Sequence, residues 1–185
     1  IADVGLAEAE AFAIGRKIVM MPKWNVVNAM ELIEREKITN FTGVPLMSFE
    51  LLTHPDRHKY DLSSLQGLAG GGAPRPVDHV RRLSEEFPTA PPALGYGLTE
   101  TSPAATINPF DIKEYTGAIG LPISSTEVEL RDDAGKPVAL GQAGEICIRG
   151  PQVMAGYWNR PDETAKVMDK DGWFATGDIG VMDEK

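Results

Sequence analysis

A single cysteine, Cys147, stands among 185 residues. No internal disulfide can form, and a cysteine-based metal site is excluded. Cys147 sits in the alternating run Glu145-Ile146-Cys147-Ile148-Arg149, the setting of a packed strand thiol rather than a nucleophile, and the composition is compatible with a reducing compartment. Basic charge is scarce as well. Eighteen Lys and Arg against 27 Asp and Glu leave a net charge of −9, which argues against nucleic acid as the main partner. No stretch approaches the roughly 18 consecutive apolar residues of a membrane-spanning helix, and Asp3, Glu8, Glu10 and Arg16 make the N-terminal stretch neither a span nor a signal peptide. Several catalytic signatures are missing: the Gly-Lys-Ser/Thr of a P-loop, a dinucleotide fingerprint, a His-Glu-x-x-His zinc run and a Gly-x-Ser-x-Gly elbow. Asp169-Lys170-Asp171-Gly172 places its glycine fourth rather than sixth and has no glutamate at the twelfth position, so it is no calcium loop. His54 and His58 are spaced like a metal pair on a helix, but Pro55 lies between them and the stretch reads as a surface connection. There is no internal repeat or low-complexity segment. No initiator methionine is present and the chain stops at Asp183-Glu184-Lys185, so it reads as a piece of something longer.

What is there is ordinary for a soluble globular chain: 42% apolar and 24% charged residues, enough for one domain or two small ones around a sizeable core. Residues 1–21 are apolar and small, with Ile18-Val19-Met20-Met21 expected as a short buried strand before Pro22. Asn25 is placed to cap a helix over Val26–Lys37, with Val26, Val27, Met30 and Ile33 as its buried stripe. Ile38–Val44 reads as a strand, and Pro45 opens the next helix, which carries Leu46, Met47, Phe49, Leu51 and Leu52. Leu62–Ala69 leads into a glycine run. Pro76 opens a helix with Val77, Val80, Leu83 and Phe87 on one face; Arg75, Arg81 and Arg82 are expected on its solvated side. Strand and helix alternate to about residue 105, which predicts a mostly parallel sheet flanked by helices, with ligands gathering at the carboxyl ends of its strands. After Gly117 the pattern changes. Glu127–Arg131 and Glu145–Arg149 alternate with period two around the turn Asp132-Asp133-Ala134-Gly135. A small antiparallel, distorted β-barrel is expected there, interrupted by a short helix near Asp162–Met168 and closed by a strand pair around Trp173 and Asp178. The expected division is an α/β subdomain over 1–116 and a small barrel-like subdomain over 117–185.

Three stretches carry chemistry. Gly70-Gly71-Gly72-Ala73-Pro74 follows a strand and is either a tight connection or a surface for close backbone approach. Gly95-Tyr96-Gly97-Leu98-Thr99-Glu100-Thr101-Ser102-Pro103 joins two glycines that permit sharp turns, an aromatic face, hydroxyls, and a carboxylate of the kind Mg²⁺ takes beside a polyphosphate; a polar loop after a strand remains the alternative. Trp173-Phe174-Ala175-Thr176-Gly177-Asp178 ends in a glycine–aspartate pair that is also a common turn.

Taken together and in this order, the three stretches resemble motifs of the adenylate-forming (AMP-binding) superfamily: acyl-CoA synthetases, luciferases and the adenylation domains of peptide synthetases. The runs Tyr96 to Pro109, Gly117-Ala118-Ile119-Gly120-Leu121-Pro122, Gly150-Pro151-Gln152-Val153-Met154-Ala155-Gly156-Tyr157-Trp158 and Asp171 to Lys185 are similar to bacterial long-chain fatty acid–CoA ligases in particular. The resemblance implies part of the large N-terminal domain of such an enzyme. Gly71, Gly72, Ala73 and Pro74 would lie against the adenine and leave room for the acyl chain. Gly95, Tyr96, Gly97 and Leu98 would shape the nucleotide site, with Tyr96 stacked on the base. Thr99 would hydrogen-bond the α-phosphate, Glu100 would help hold Mg²⁺, and Asp178 would accept hydrogen bonds from the ribose hydroxyls, as an ionised carboxylate can. Trp173 and Phe174 are expected to pack, and Val44 and Gly70 to line the acyl tunnel. The implied reaction joins a fatty acid, ATP and coenzyme A through an acyl-adenylate, in a cytoplasmic parent enzyme for which peripheral membrane attachment and a homodimer stay open. An aryl-CoA ligase, a peptide-synthetase adenylation domain and a non-catalytic nucleotide-binding module are the competing readings. The family's Lys-bearing phosphate loop, its arginine just past the Asp178 motif and its C-terminal catalytic lysine have no counterpart in these residues, so the fragment alone is expected to be inactive.

Overall fold

The computed structural model describes residues 15–92, 94–109 and 115–184, and the chain separates into two compact units. One holds the described residues of Ile1–Tyr96 and Asn108–Gly120; the other holds Gly97–Ile107 and the described residues of Leu121–Lys185.

In the first unit, helix α1 (Val26–Glu36) starts where Asn25 turns its side chain onto the backbone: Asn28 N–H donates to its carboxamide oxygen at 2.9 Å. This satisfies one of the otherwise unpaired first-turn donors. The helix stops at Lys37, whose left-handed backbone (φ 50°) returns its N–H to the Ile33 carbonyl. Ala29, Met30 and Ile33 are buried along one face and Val26 and Val27 pack against the same core. Strand β1 (Asn40–Thr42) pairs in parallel with β2 (Gly67–Ala69), Phe41 standing opposite Leu68. A parallel pair requires a crossover, and α2 (Pro45–Thr53) lies within it, with Pro45 at its first turn. Leu68 also bridges in parallel to Pro92, so the parallel arrangement continues past α3 (Val77–Glu86). Met30, Leu51, Leu65, Leu68 and Leu83 are the most deeply buried large apolar side chains of this unit. A short strand, β3 (Gly95–Tyr96), ends it before the chain moves to the second unit. The lead-in over residues 1–14 and Ala93 lie outside the described residues.

Three expectations for this unit fail. Val77, at the head of α3, is 46% exposed and does not share the buried face of Val80 and Leu83. Ile18–Met21 forms no strand, and Ile18 and Met20 are 43% and 67% exposed; four apolar residues supply no ladder partner of their own. Arg75 is not on a solvated face but is buried at 7% exposure. The helix begins at Val77, so Arg75 precedes the helical phase on which that expectation relied. Arg81 does behave as expected, pairing on the surface with Asp78 and Glu85 at 2.5 and 2.6 Å.

In the second unit, β4 (Thr106–Ile107) pairs antiparallel with β5 (Leu121–Pro122). Strands β6 (Glu127–Arg131), β7 (Ala143–Arg149) and β8 (Phe174–Val181) form an antiparallel sheet in that order. The turn between β6 and β7 is shaped by Asp132, whose carboxylate accepts from the N–H groups of Ala134 and Lys136, both at 2.9 Å. Leu130, Ile146, Ile148 and Phe174 are buried, and the Cys147 thiol is 2% exposed, its pKa pushed up by burial. The expected distorted barrel is an open three-stranded sheet among the described residues. The expected final strand pair is mostly one strand, β8, reached through a single bridge between Met168 and Phe174. Helix α4 (Pro161–Val167) precedes it.

Candidate functional site

In the first unit the glycine run leaves β2 under tight constraint. A Cβ on Gly70 would stand 1.9 Å from the Gly43 carbonyl oxygen and 2.6 Å from Nη2 of Arg75. Only a glycine fits there. Gly72 turns through φ 83°, conformational space that residues with a Cβ rarely enter. Gly71 is half-buried, and Gly72, Ala73 and Pro74 are exposed and present backbone. Val44 is also exposed, and its Cγ1 is the nearest atom to the space beside Gly72, at 3.7 Å. Beneath the loop, Arg75 donates from Nη1 to the Leu68 carbonyl at 3.3 Å, while Nε and Nη2 have no hydrogen-bond partner among the described residues. Burial lowers the guanidinium's pKa, yet an arginine remains charged at neutral pH. His79, buried nearby and edge-on to the Phe49 ring with centroids 5.5 Å apart, has its pKa lowered by burial first and by the charges of Arg75 and Arg82 second. Gly95 is exposed, Tyr96 is half-buried at the unit's end, and Asn108 closes this region by donating from its backbone to Leu94 O (2.9 Å) and from Nδ2 to Ala118 O (2.8 Å).

In the second unit the rest of the central motif is a pinned turn. A Cβ on Gly97 would stand 1.7 Å from the Pro103 carbonyl oxygen, so the two ends of the motif touch backbone to backbone. Between them Thr99–Thr101 makes one 3-10 turn, closed at Ser102 in left-handed conformation (φ 54°). The fully buried Thr101 holds the turn. Its hydroxyl accepts from Leu98 N–H at 2.9 Å and has the carbonyls of Leu98 and Pro103 within reach, at 3.0 and 3.1 Å. Thr99 is thereby left exposed and Glu100 half-buried. Glu100 is fixed at both ends. Its carbonyl accepts from Met154 N–H at 2.8 Å, and its Oε1 accepts from the Tyr157 hydroxyl at 2.8 Å. Accepting that bond, the Glu100 carboxylate raises the Tyr157 pKa above the ordinary phenol value.

Asp178 is exposed and projects from a bulge in β8. Ala175 pairs with Cys147 and Ile179 with Glu145, so Thr176, Gly177 and Asp178 together oppose Ile146. Glu145 anchors the bulge by accepting from Gly177 N–H at 2.8 Å, and Asp178 N–H donates to Thr176 Oγ1 at 3.1 Å. Such bulges re-aim side chains. Trp173 and Phe174 pack, as expected: Phe174 is buried, and the Trp173 ring lies 4.9 and 4.7 Å from the guanidinium carbons of Arg131 and Arg149. Asp169 braces that corner through Arg131 (2.9 Å) and the N–H groups of Asp171 and Trp173. Among the described residues no group of three or more His, Cys, Asp or Glu gathers around a potential metal position, and His54 instead accepts from Asp56 N–H at 3.2 Å.

Two residues with structural parts in this region were not singled out by the sequence. Thr101 was visible only as one of several hydroxyls in the motif. Tyr157 stands 57 positions from Glu100, beyond any local pattern.

The family described as AMP-binding enzyme matches residues 1–158. The chain is 46% identical over 171 residues to a long-chain-fatty-acid–CoA ligase of Yersinia pestis, covering 92% of this chain and 30% of that protein. It is 40% identical over 174 residues to 4-coumarate–CoA ligase 1 of Glycine max, covering 90% and 59%. Among solved structures, the amide bond synthetase McbA of Marinactinospora thermotolerans superposes with a TM-score of 0.85 at 34% identity, covering 98% of this chain and 37% of that one. The chain thus spans about a third of the length of the bacterial relatives it matches.

Proposed function

Because the chain belongs to the AMP-binding enzyme family, we propose that it supplies the adenine, ribose and metal contacts of an ATP-dependent long-chain fatty acid–CoA ligase. In this reading an acid and ATP form an acyl-adenylate with release of diphosphate, and the thiol of coenzyme A then displaces AMP. Adenylation replaces a poor leaving group by a good one and divides a hard step into two easier ones. Backbone at Gly71–Pro74 lies against the base, Tyr96 stacks on it, Gly95, Gly97 and Leu98 shape the turn around it, Thr99 donates to the α-phosphate, and Asp178 accepts from the ribose hydroxyls. Each charge-assisted bond of this kind contributes about 1.5–3 kcal/mol.

The donor set fits Mg²⁺ in the way that ion sits beside a polyphosphate, with one or two carboxylates and the remaining positions filled by phosphate oxygens and water. Glu100 offers one carboxylate, with Oε1 engaged by Tyr157. When bound, the cation offsets the charge that accumulates as a carboxylate approaches a phosphate. Without a cation Glu100 would repel that phosphate.

The observation that carries the reading is the pinned turn. Gly97, Thr101 and Met154 hold Thr99 outward and fix Glu100, in a chain 46% identical to a long-chain-fatty-acid–CoA ligase. The identity to 4-coumarate–CoA ligase 1 favours an aryl acid as the second reading. ATP–diphosphate exchange by the full-length protein with hexadecanoate, 4-coumarate and an amino-acid panel separates them: exchange with hexadecanoate alone supports the first, and exchange with none of them refutes both. The 185-residue chain by itself is expected to form no acyl-CoA from ATP, Mg²⁺, fatty acid and coenzyme A; product detected by mass spectrometry would overturn that expectation.

A further inference from the structure

Tyr157 is the one side chain that reaches the Glu100 carboxylate among the described hydrogen bonds, and its own place is tightly determined. Its backbone N–H donates to Thr164 Oγ1 at 2.9 Å, and that hydroxyl in turn donates to the Arg160 carbonyl at 3.0 Å. The preceding Gly156 adopts φ 145°, and a Cβ there would meet the Thr164 side chain at 2.9 Å. Three residues earlier Met154 N–H holds the Glu100 carbonyl. The segment 154–157 therefore grips Glu100 by main chain and side chain at once, and α4 holds the segment through Thr164. The phenol takes Oε1 of the carboxylate and leaves Oε2 without a hydrogen-bond partner among the described residues. A flexible glutamate would otherwise lose rotamer freedom on meeting a cation; here that order exists beforehand.

We propose that Tyr157 is a positioning residue for the adenylation step: through its hydroxyl it presents Oε2 of Glu100 to the cation bound with ATP. This rests on the ligase reading above, and it adds a residue that acts through Glu100 without touching the substrate. Removal of the hydroxyl in Tyr157→Phe leaves packing in place and frees the carboxylate to rotate. Preorganised electrostatic contacts of this sort are lost as rate rather than as acid affinity.

The test uses the full-length protein in two assays. In ATP–diphosphate exchange, Tyr157→Phe is expected to lower kcat by roughly tenfold, leave KM for the acid within about twofold, and raise the Mg²⁺ concentration for half-maximal rate, with the urea midpoint unchanged. Glu100→Gln is expected to lose more, and the Tyr157→Phe/Glu100→Gln double variant to be no slower than Glu100→Gln alone, because the hydroxyl acts only through that carboxylate. The second assay needs no turnover. Calorimetric binding of a non-hydrolysable ATP analogue with Mg²⁺ is expected to be weaker in Tyr157→Phe than in wild type, and binding of the analogue without Mg²⁺ to be unchanged, because the hydroxyl acts only on the carboxylate that faces the cation. Wild-type kcat and Mg²⁺ dependence in Tyr157→Phe, or additive losses in the double variant, would overturn the proposal. Absence of exchange in the wild type with every acid would instead sink the ligase reading. In that case the calorimetry decides alone, and equal Mg²⁺-dependent binding of the analogue by wild type and Tyr157→Phe overturns the role of Tyr157.

Discussion

Thr101→Val exchanges a hydroxyl for a methyl of nearly the same size at a fully buried position. In the native turn the Thr101 hydroxyl accepts from Leu98 N–H at 2.9 Å and has two carbonyls, Leu98 O and Pro103 O, at 3.0 and 3.1 Å. Valine fills the space but offers no acceptor, so the Leu98 N–H is stranded beside a hydrocarbon. An unpaired donor of this kind costs about 1–3 kcal/mol. Thr101→Ser makes the opposite cut: it keeps the hydroxyl and removes one methyl, worth about 1 kcal/mol in a packed site. The expected order of stability is wild type, then Ser, then Val, read from urea unfolding followed by circular dichroism. The same order is expected for ATP–diphosphate exchange in the full-length protein, because this turn sets the positions of Thr99 and Glu100. If Thr101→Val is as stable as Thr101→Ser, the hydroxyl does not hold the turn and the account of the pinned motif is wrong.

Other expectations concern backbone contact and charge. Gly97→Ala places a methyl 1.7 Å from a carbonyl oxygen that cannot rotate away and is expected to cost at least 1–3 kcal/mol, roughly the range for overpacking. At Gly135, where φ is 72° and nothing lies within 4 Å, alanine pays only for the left-handed backbone, about 1–2 kcal/mol; equal urea midpoints for Gly97→Ala and wild type would contradict the close approach. Asp169 has its pKa lowered, chiefly by the hydrogen bond from Arg131. The folded state therefore binds a proton less readily there than the unfolded chain. The associated stability is present above the unfolded carboxylate value of about 3.9 and fades as pH falls through the lower folded value. Asp169→Asn is expected to flatten this part of the acid-unfolding curve, and an unchanged curve would count against the pair.

Local signals carried much of the fold into view. The Asn25 cap, the Pro45 start and the Asp132 turn each depend on neighbours within a few residues, and each is present in the structure; β6 and β7 pair as strands, but in β7 the period-two pattern is not one of burial, since Ile146, Cys147 and Ile148 are all buried. Ile18–Met21 misled because an apolar run states a preference for burial without providing a partner strand. Arg75 misled because its spacing from Arg81 was counted through a helix that had not yet begun. Within the candidate site, the residues of the central motif were legible from resemblance, and the parts that hold them were not. The Tyr157 bond to Glu100 spans 57 positions. The bulge that carries Asp178 depends on Glu145 in a different strand, and nothing in Phe174–Asp178 announces it.

That bulge sets three residues of β8 against one of β7, a surplus of two. Because side chains alternate sides with every residue, an even surplus leaves inside and outside unchanged beyond it. Phe174 and Gly180 accordingly face the same interior, Gly180 lying against Ile146 and Leu130, while Ile179 stays 70% exposed. A side chain at position 180 would crowd Ile146 and Leu130, so the strand beyond the bulge fits only one way up, with Gly180 inward and Ile179 and Val181 outward.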